Sequence, residues 1–138
     1  MILEGKVWKS GPQWLIEVPV LDLATQGKSK KDAYAMLKDA IKLLLGHKHF
    51  SLKIRPLAEP HFLLECKDDT ELLALILKRQ RVKHDLSLSE MAKRLKVRSK
   101  NSYAQYEQGR SQPSLSKLQE FLTAMNSGIR LSLGLVEG

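Results

Sequence analysis

Asn101, Gln105 and Gln108 are spaced four and three residues apart, so a helix through them sets three carboxamides on one face. A carboxamide offers a donor beside an acceptor, and Asn and Gln make bidentate bonds to adenine in the major groove. The flanks supply complementary chemistry. Arg98, Ser99 and Lys100 stand at the start of such a helix, where backbone amides and positive charge suit a phosphate. Arg110 follows the helix and could hold the adjacent backbone. A register shifted by one residue brings Ser102 onto the reading face. The competing reading of the same residues is a solvated polar surface.

Other reactive side chains form no site. Glu4, Glu17, Asp22, Asp32, Asp39, Glu59 and Glu65 are scattered, and no pair recurs in a metal-binding motif. His47 and His49 lie near His61 and Cys66, but the spacing fits none of the common zinc patterns. No metal, no cofactor and no catalysis are expected. Cys66 alternates with Phe62 and Leu64, as a buried thiol would. Trp8 and Trp14 flank the first turn signal. They suit a core, and an exposed tryptophan there would suit a protein partner.

Two kinds of element must position these residues. Residues 2–9 and 13–18 are apolar runs separated by Ser10-Gly11-Pro12, which predicts a hairpin. Residues 22–27 make a loop or a third short strand. Ser29, three residues before Asp32, marks a helix start. That helix aligns Ala33, Leu37, Ala40, Ile41 and Leu44. Residues 52–57 and 62–66 read as short strands. The remainder is helical, in four segments. Asp68 or Asp69 opens the first, Ser87 or Ser89 the second. The third contains Tyr103 and Tyr106 and stops at Gly109, and Pro113-Ser114 begins the fourth. After Gly128, the alternation of Ile129, Leu131, Leu133 and Leu135 predicts a strand, and because a lone strand leaves its backbone unpaired it needs a partner, either the same strand of a second subunit at a dimer contact or a strand such as 62–66.

The chain has 138 residues, 43% apolar and 28% charged, which is globular composition for one compact domain or two small ones. No apolar run approaches the roughly 20 residues of a bilayer span, so no membrane partner is expected. The single cysteine excludes an intramolecular disulfide framework, and a cytoplasmic protein is expected. The net charge of +8 is concentrated: residues 78–117 hold 11 Lys/Arg against 3 Asp/Glu. A basic block of that kind is the electrostatic footprint of a polyanion binder.

Leu86-Ser87-Leu88-Ser89-Glu90-Met91-Ala92-Lys93-Arg94-Leu95-Lys96-Val97, followed by Tyr106-Glu107-Gln108-Gly109-Arg110-Ser111-Gln112-Pro113-Ser114-Leu115, resembles the Xre (Cro/lambda repressor-like) helix-turn-helix family. Lys96 stands where that family has glycine, so it must adopt a left-handed conformation or the turn must differ. The N-terminal order β-β-β-α-β resembles the HicB antitoxin family. The residues that carry this likeness are Trp14-Leu15-Ile16-Glu17-Val18-Pro19 and Thr25-Gln26-Gly27-Lys28-Ser29-Lys30-Lys31-Asp32-Ala33.

The resemblance implies an α+β chain with three parts. Residues 1–67 would form a partial ribonuclease H-like, toxin-binding domain and 68–127 the helix-turn-helix domain, while 128–138, by its own alternation, would add a strand that could serve dimerisation. It implies a type II antitoxin that neutralises a small HicA-like, mRNA-cleaving toxin by direct binding. As a homodimer it would repress its own operon by binding double-stranded operator DNA. Two alternatives stay open. One is a stand-alone Xre-type regulator whose N-terminal domain senses a ligand or dimerises. The other is a nuclease with an appended DNA-binding domain.

Overall fold

A computed structural model describes residues 1–46 and 50–138. His47 and His49 lie outside the described residues. The elements run β1 (Ile2–Ser10), β2 (Gln13–Val18), β3 (Leu23–Gly27), α1 (Lys30–Leu44), β4 (Leu52–Pro56), β5 (His61–Cys66), α2 (Asp69–Lys83), α3 (Leu88–Arg94), α4 (Asn101–Glu107) and α5 (Leu115–Met125). A short 3-10 turn, Pro19–Leu21, sits between β2 and β3. The chain is α+β, as expected. Its N-terminal order is β-β-β-α-β-β rather than β-β-β-α-β, because the runs after α1 form two paired strands. The sheet order is β3-β2-β1-β5-β4, with every neighbour antiparallel.

The hairpin loop is two residues long, so Ser10 pairs with Gln13 and Lys9 with Trp14. That register puts the two tryptophans on opposite faces, since side chains alternate along a strand. Trp14 packs against the core with Val7, Ile16, Val18, Phe62 and Leu64, while Trp8 is 36% exposed on the other face. The expectation for this pair therefore divides. Trp14 is a core residue, and Trp8 alone is available to a partner.

Helix α1 covers the inner face of the sheet. Ser29 caps it by accepting from the Asp32 amide at 3.0 Å, and Ala33, Leu37 and Ile41 are buried. Leu45, not Leu44, completes the buried stripe. Gly27 is a requirement of this packing: a Cβ there would lie 2.4 Å from the Ala33 backbone nitrogen. Cys66 is buried as expected, and that burial pushes its thiol above the usual range.

Helix α2 belongs to both halves. Six consecutive residues, Leu72, Leu73, Ala74, Leu75, Ile76 and Leu77, are buried. A helix apolar on all sides must lie between two layers. Leu72, Leu75 and Ile76 join the core of the sheet, and Leu73 and Leu77 join a second core with residues of α3, α4 and α5. Three successive polar residues extend the same division. Arg79 donates to the carbonyls of Leu21 (2.9 Å) and Asp22 (2.6 Å), and Gln80 donates to that of Val20 (2.8 Å). Arg81 instead reaches Glu107 of α4. A boundary at residue 67 thus cuts through the sheet's own core.

The expected strand after Gly128 is not formed within the chain. Ile129 and Leu131 are half-buried against the helical core, whereas Leu133 and Leu135 are exposed. A strand needs a neighbouring backbone. Here the side chain of Gln119 takes that place, donating to the Ile129 carbonyl (3.0 Å) and accepting from the Leu131 amide (2.7 Å).

Candidate nucleic-acid interface

Local sequence sets up the two motif helices. Ser87 and Glu90 form a reciprocal capping box at the start of α3. Its hydrogen bonds hold the Glu90 carboxyl below the usual carboxylate range. Met91 and Ala92 face inward. The turn after α3 keeps the helix-turn-helix form despite its missing glycine, because Lys96 itself adopts the left-handed conformation, φ 57°. Lysine pays a strain there that glycine would not.

Three contacts fix how α4 is rotated about its axis. Tyr103 packs edge-on against Phe121 of α5, with centroids 5.1 Å apart, and Tyr106 lies 4.9 Å from the same ring. At the far end, Glu107 accepts from Arg81 Nε at 2.7 Å and Nη2 at 2.9 Å. The side chains of this bidentate pair are only 12% and 6% exposed. Arg81 also donates Nη1 to the Leu86 carbonyl at 2.7 Å, which ties α2 to the chain entering α3. Beside this carboxylate, the buried Tyr103 phenol is held far above its ordinary pKa. Gly109, at φ 71°, ends the helix.

With that inner face fixed, the outer face follows. Asn101, Ser102 and Gln108 are exposed, as are Arg98, Ser99 and Lys100 before the helix and Arg110 after it. Gln105 differs from expectation. It is half-buried, its amide donates to the Ser102 carbonyl (3.1 Å), and its oxygen accepts from Ser111 Oγ (3.1 Å). Its carboxamide is thus partly committed, and it orients the loop that carries Arg110. Lys93, Lys96, Arg98, Lys100 and Arg110 are exposed and make no ion pair among the described residues. Arg94 is used internally, donating to the Ala124 and Met125 carbonyls at the end of α5.

Sequence reasoning missed Arg81 and Glu107 as positioning residues. Nothing local marks them, because they meet across 26 positions of chain. Among the described residues, no group of three or more His, Cys, Asp or Glu could hold a metal ion. No described helix is long and apolar enough to cross a membrane.

A short helix packed across a capped one, with basic residues and carboxamides on its outer side, is the arrangement of a helix-turn-helix DNA-binding unit. Residues 77–131 match the helix-turn-helix family model, from the second half of α2 past the end of α5. The match supports the Xre-type reading of this part and sequence-specific DNA binding by a regulator. The search of curated proteins returned no match to the chain.

Two expectations follow for this surface. With about 4–6 phosphate contacts per domain, log K for DNA should fall against log salt with a slope of roughly −4 to −5. A titration of binding against salt measures it, and a slope near zero would remove nucleic acid as the ligand. Lys100→Ala and Asn101→Ala should also differ. Loss of Lys100 should weaken all sequences alike. Loss of Asn101 should cost about 1–3 kcal/mol at a specific site and relax preference at one position. Binding of both variants to a matched and a mismatched duplex separates the roles.

Proposed function

We propose that this chain is a HicB-type antitoxin that represses its own operon. In this reading the sheet-and-helix half binds and blocks a small mRNA-cleaving toxin, and the helix-turn-helix half binds operator DNA as a homodimer. The chain acts by binding, without a cofactor and without catalysis of its own.

The observation that carries the reading is the unequal covering of the sheet. Its inner face is sealed by α1 and by the Leu72, Leu75 and Ile76 side of α2. On its outer face, Trp8, Leu15 and Leu63 belong to neither hydrophobic core. There Trp8 and Leu15 are cross-strand partners, flanked by the Lys6–Glu17 pair. Leu63, opposite both Glu4 and Arg55, lies within the same face. A sheet face with an exposed tryptophan and mixed charge suits a protein partner better than a nucleic acid. The likeness of residues 14–19 and 25–33 to HicB proteins supports the same assignment.

The test is co-expression of the full chain with the product of the neighbouring reading frame, expected to be a basic protein of roughly 60–90 residues, small enough to need a stabilising partner. The two should purify together, and the chain should suppress RNA cleavage by its partner. Purification of the chain alone, with no protection of cells from the neighbour's product, would leave the stand-alone regulator. Metal-dependent cleavage by the chain itself would instead mark a nuclease.

A further inference from the structure

We infer that β3 is an edge held open for a second copy of this chain, by antiparallel pairing centred on Thr25, with an apolar flank of α1 closing over the same contact. The surface belongs to the sheet half, not to the helix-turn-helix, and the inference does not rest on the antitoxin reading.

Three observations carry it. First, the two edges of the sheet are not alike. Val7 donates its amide to the Pro60 carbonyl, so the odd residues of β1 bond toward β5 and the even ones toward β2. Carried through the registers of β1 with β2 and of β2 with β3, this alternation bonds Thr25 back to Ile16 and turns the backbone groups of Ala24 and Gln26 away from the sheet. No turn, loop or side-chain hydrogen bond among the described residues reaches them. At the other edge, Leu57 donates to the His61 carbonyl, which turns Leu52, Ile54 and Pro56 outward. That edge is guarded. Pro56 has no amide to offer, and Lys53 and Arg55 stand beside the rest. Sheets blunt their edges with lysine and proline in this way. Leu23-Ala24-Thr25-Gln26-Gly27 has no charge and no proline, so β3 is left able to pair.

Second, α1 overhangs that edge with an apolar flank. Its first turn lies on β3, where a Cβ on Gly27 would collide with the Ala33 backbone. One side of the helix is turned toward β5: Tyr34 packs edge-on against Phe62, with centroids 5.5 Å apart, and Lys30 donates to Glu59 at 2.8 Å. At 3.6 residues per turn, Met36 and Leu43 fall on the opposite side from Tyr34, which is the side of the free edge. Met36 is 42% and Leu43 63% exposed, with half-buried Ala40 beside them. Lys31, Lys38 and Lys42 fall on the Tyr34 side, so like charge is kept from this flank.

Third, the edge is complementary to itself, which selects a second copy as the occupant. With Thr25 opposite Thr25 of the other copy, Ala24 faces Gln26 in the hydrogen-bonded pairs. Leu23 faces Gly27, whose missing side chain leaves room for it. Just beyond the strand ends Asp22 meets Lys28, so both ends of the contact join opposite charges. The neighbouring registers, centred on Ala24 or Gln26, leave that pair unmade. The same pairing of β4 about Ile54 would oppose Lys53 to Arg55, which is repulsive. A two-fold axis through Thr25, perpendicular to the sheet, sets the two α1 flanks against each other on one face. It leaves the outer face of each sheet open and makes a closed, isologous contact.

The test uses the full chain without DNA or toxin, so its result is independent of the antitoxin assignment. By sedimentation equilibrium the parent chain should self-associate at micromolar concentration, and Ala24→Pro and Leu43→Glu should each halve the mass of the assembly. The Ala24 amide points away from β2, so proline there removes a donor from the contact and none from the chain's own ladder. Thr25→Cys should form a disulfide-linked dimer under mild oxidation, since opposed residues of a non-bonded pair lie about 4.5 Å apart between Cα atoms. Gln26→Cys, which faces Ala24, should not link. The native Cys66 is 4% exposed and should stay out of the reaction. A monomeric parent chain would overturn the proposal. So would a mass left unchanged by both Ala24→Pro and Leu43→Glu, or a dimer linked through Gln26→Cys and not through Thr25→Cys.

Discussion

Glu107→Ala should lower folding stability by about 3–5 kcal/mol and remove specific DNA binding with it. The carboxylate accepts two hydrogen bonds from Arg81, at 2.7 and 2.9 Å, where the side chains are 12% and 6% exposed. Truncation leaves the guanidinium in a poorly hydrated site where, among the described residues, only the Leu86 carbonyl still accepts from it. The cost arises from that stranded charge more than from the lost attraction. A double variant, Arg81→Met with Glu107→Leu, should therefore recover most of the stability, because buried ion pairs are often no better than well-packed apolar residues. Chemical denaturation of the single and double variants checks this. A loss below about 1 kcal/mol in Glu107→Ala would mean that the tyrosines on Phe121 suffice to hold α4.

Leu72→Ala should cost about 2–5 kcal/mol, and should do so for both halves of the molecule. Leu72 is fully buried on the sheet side of α2, with no direct place in the helical core. Its loss nevertheless reaches the DNA-binding half, since Leu73 and Leu77 of the same helix anchor that core. Tryptophan fluorescence reports the sheet, where both Trp8 and Trp14 lie, and far-ultraviolet circular dichroism reports mainly the helices. The two probes should follow one transition, shifted together. Leu115→Ala, at a position 60% exposed, should stay within about 0.5 kcal/mol of the parent. Two separate transitions, with the helical one unmoved, would show that α2 does not couple the halves.

The sequence was most legible where structure is local. The Ser10-Gly11-Pro12 turn, the Ser29 cap, the Ser87 capping box and the Ser114 cap each act within four residues, and each is found where residue type and spacing put it. Lys96 was legible as a conflict, and the chain resolves it with a left-handed lysine. Long-range features were not legible. The run from Leu72 to Leu77 has no period, and an apolar run tells that a helix is buried but not which two layers bury it. Arg81 and Glu107 look like ordinary members of a basic block until the fold brings them together. The period-two leucines after Gly128 read as a strand, but alternation specifies only a conformation that can pair. Within one chain Gln119 supplies the pairing. The two tryptophans were separable in principle, since a two-residue hairpin loop fixes the register and with it the faces.

We propose that α4 reads base sequence from a frame set by Tyr103, Tyr106 and Glu107. The most direct measurement of this is selection from a pool of randomised duplex DNA with the full chain, repeated with Asn101→Ala. The parent chain should enrich a defined site and bind it about 10³-fold or more tightly than the unselected pool. Asn101→Ala should enrich a site that is degenerate at one position. A pool that stays random after selection by the parent chain, despite retained binding to DNA, would contradict the claim and leave the basic surface as a non-specific polyanion binder.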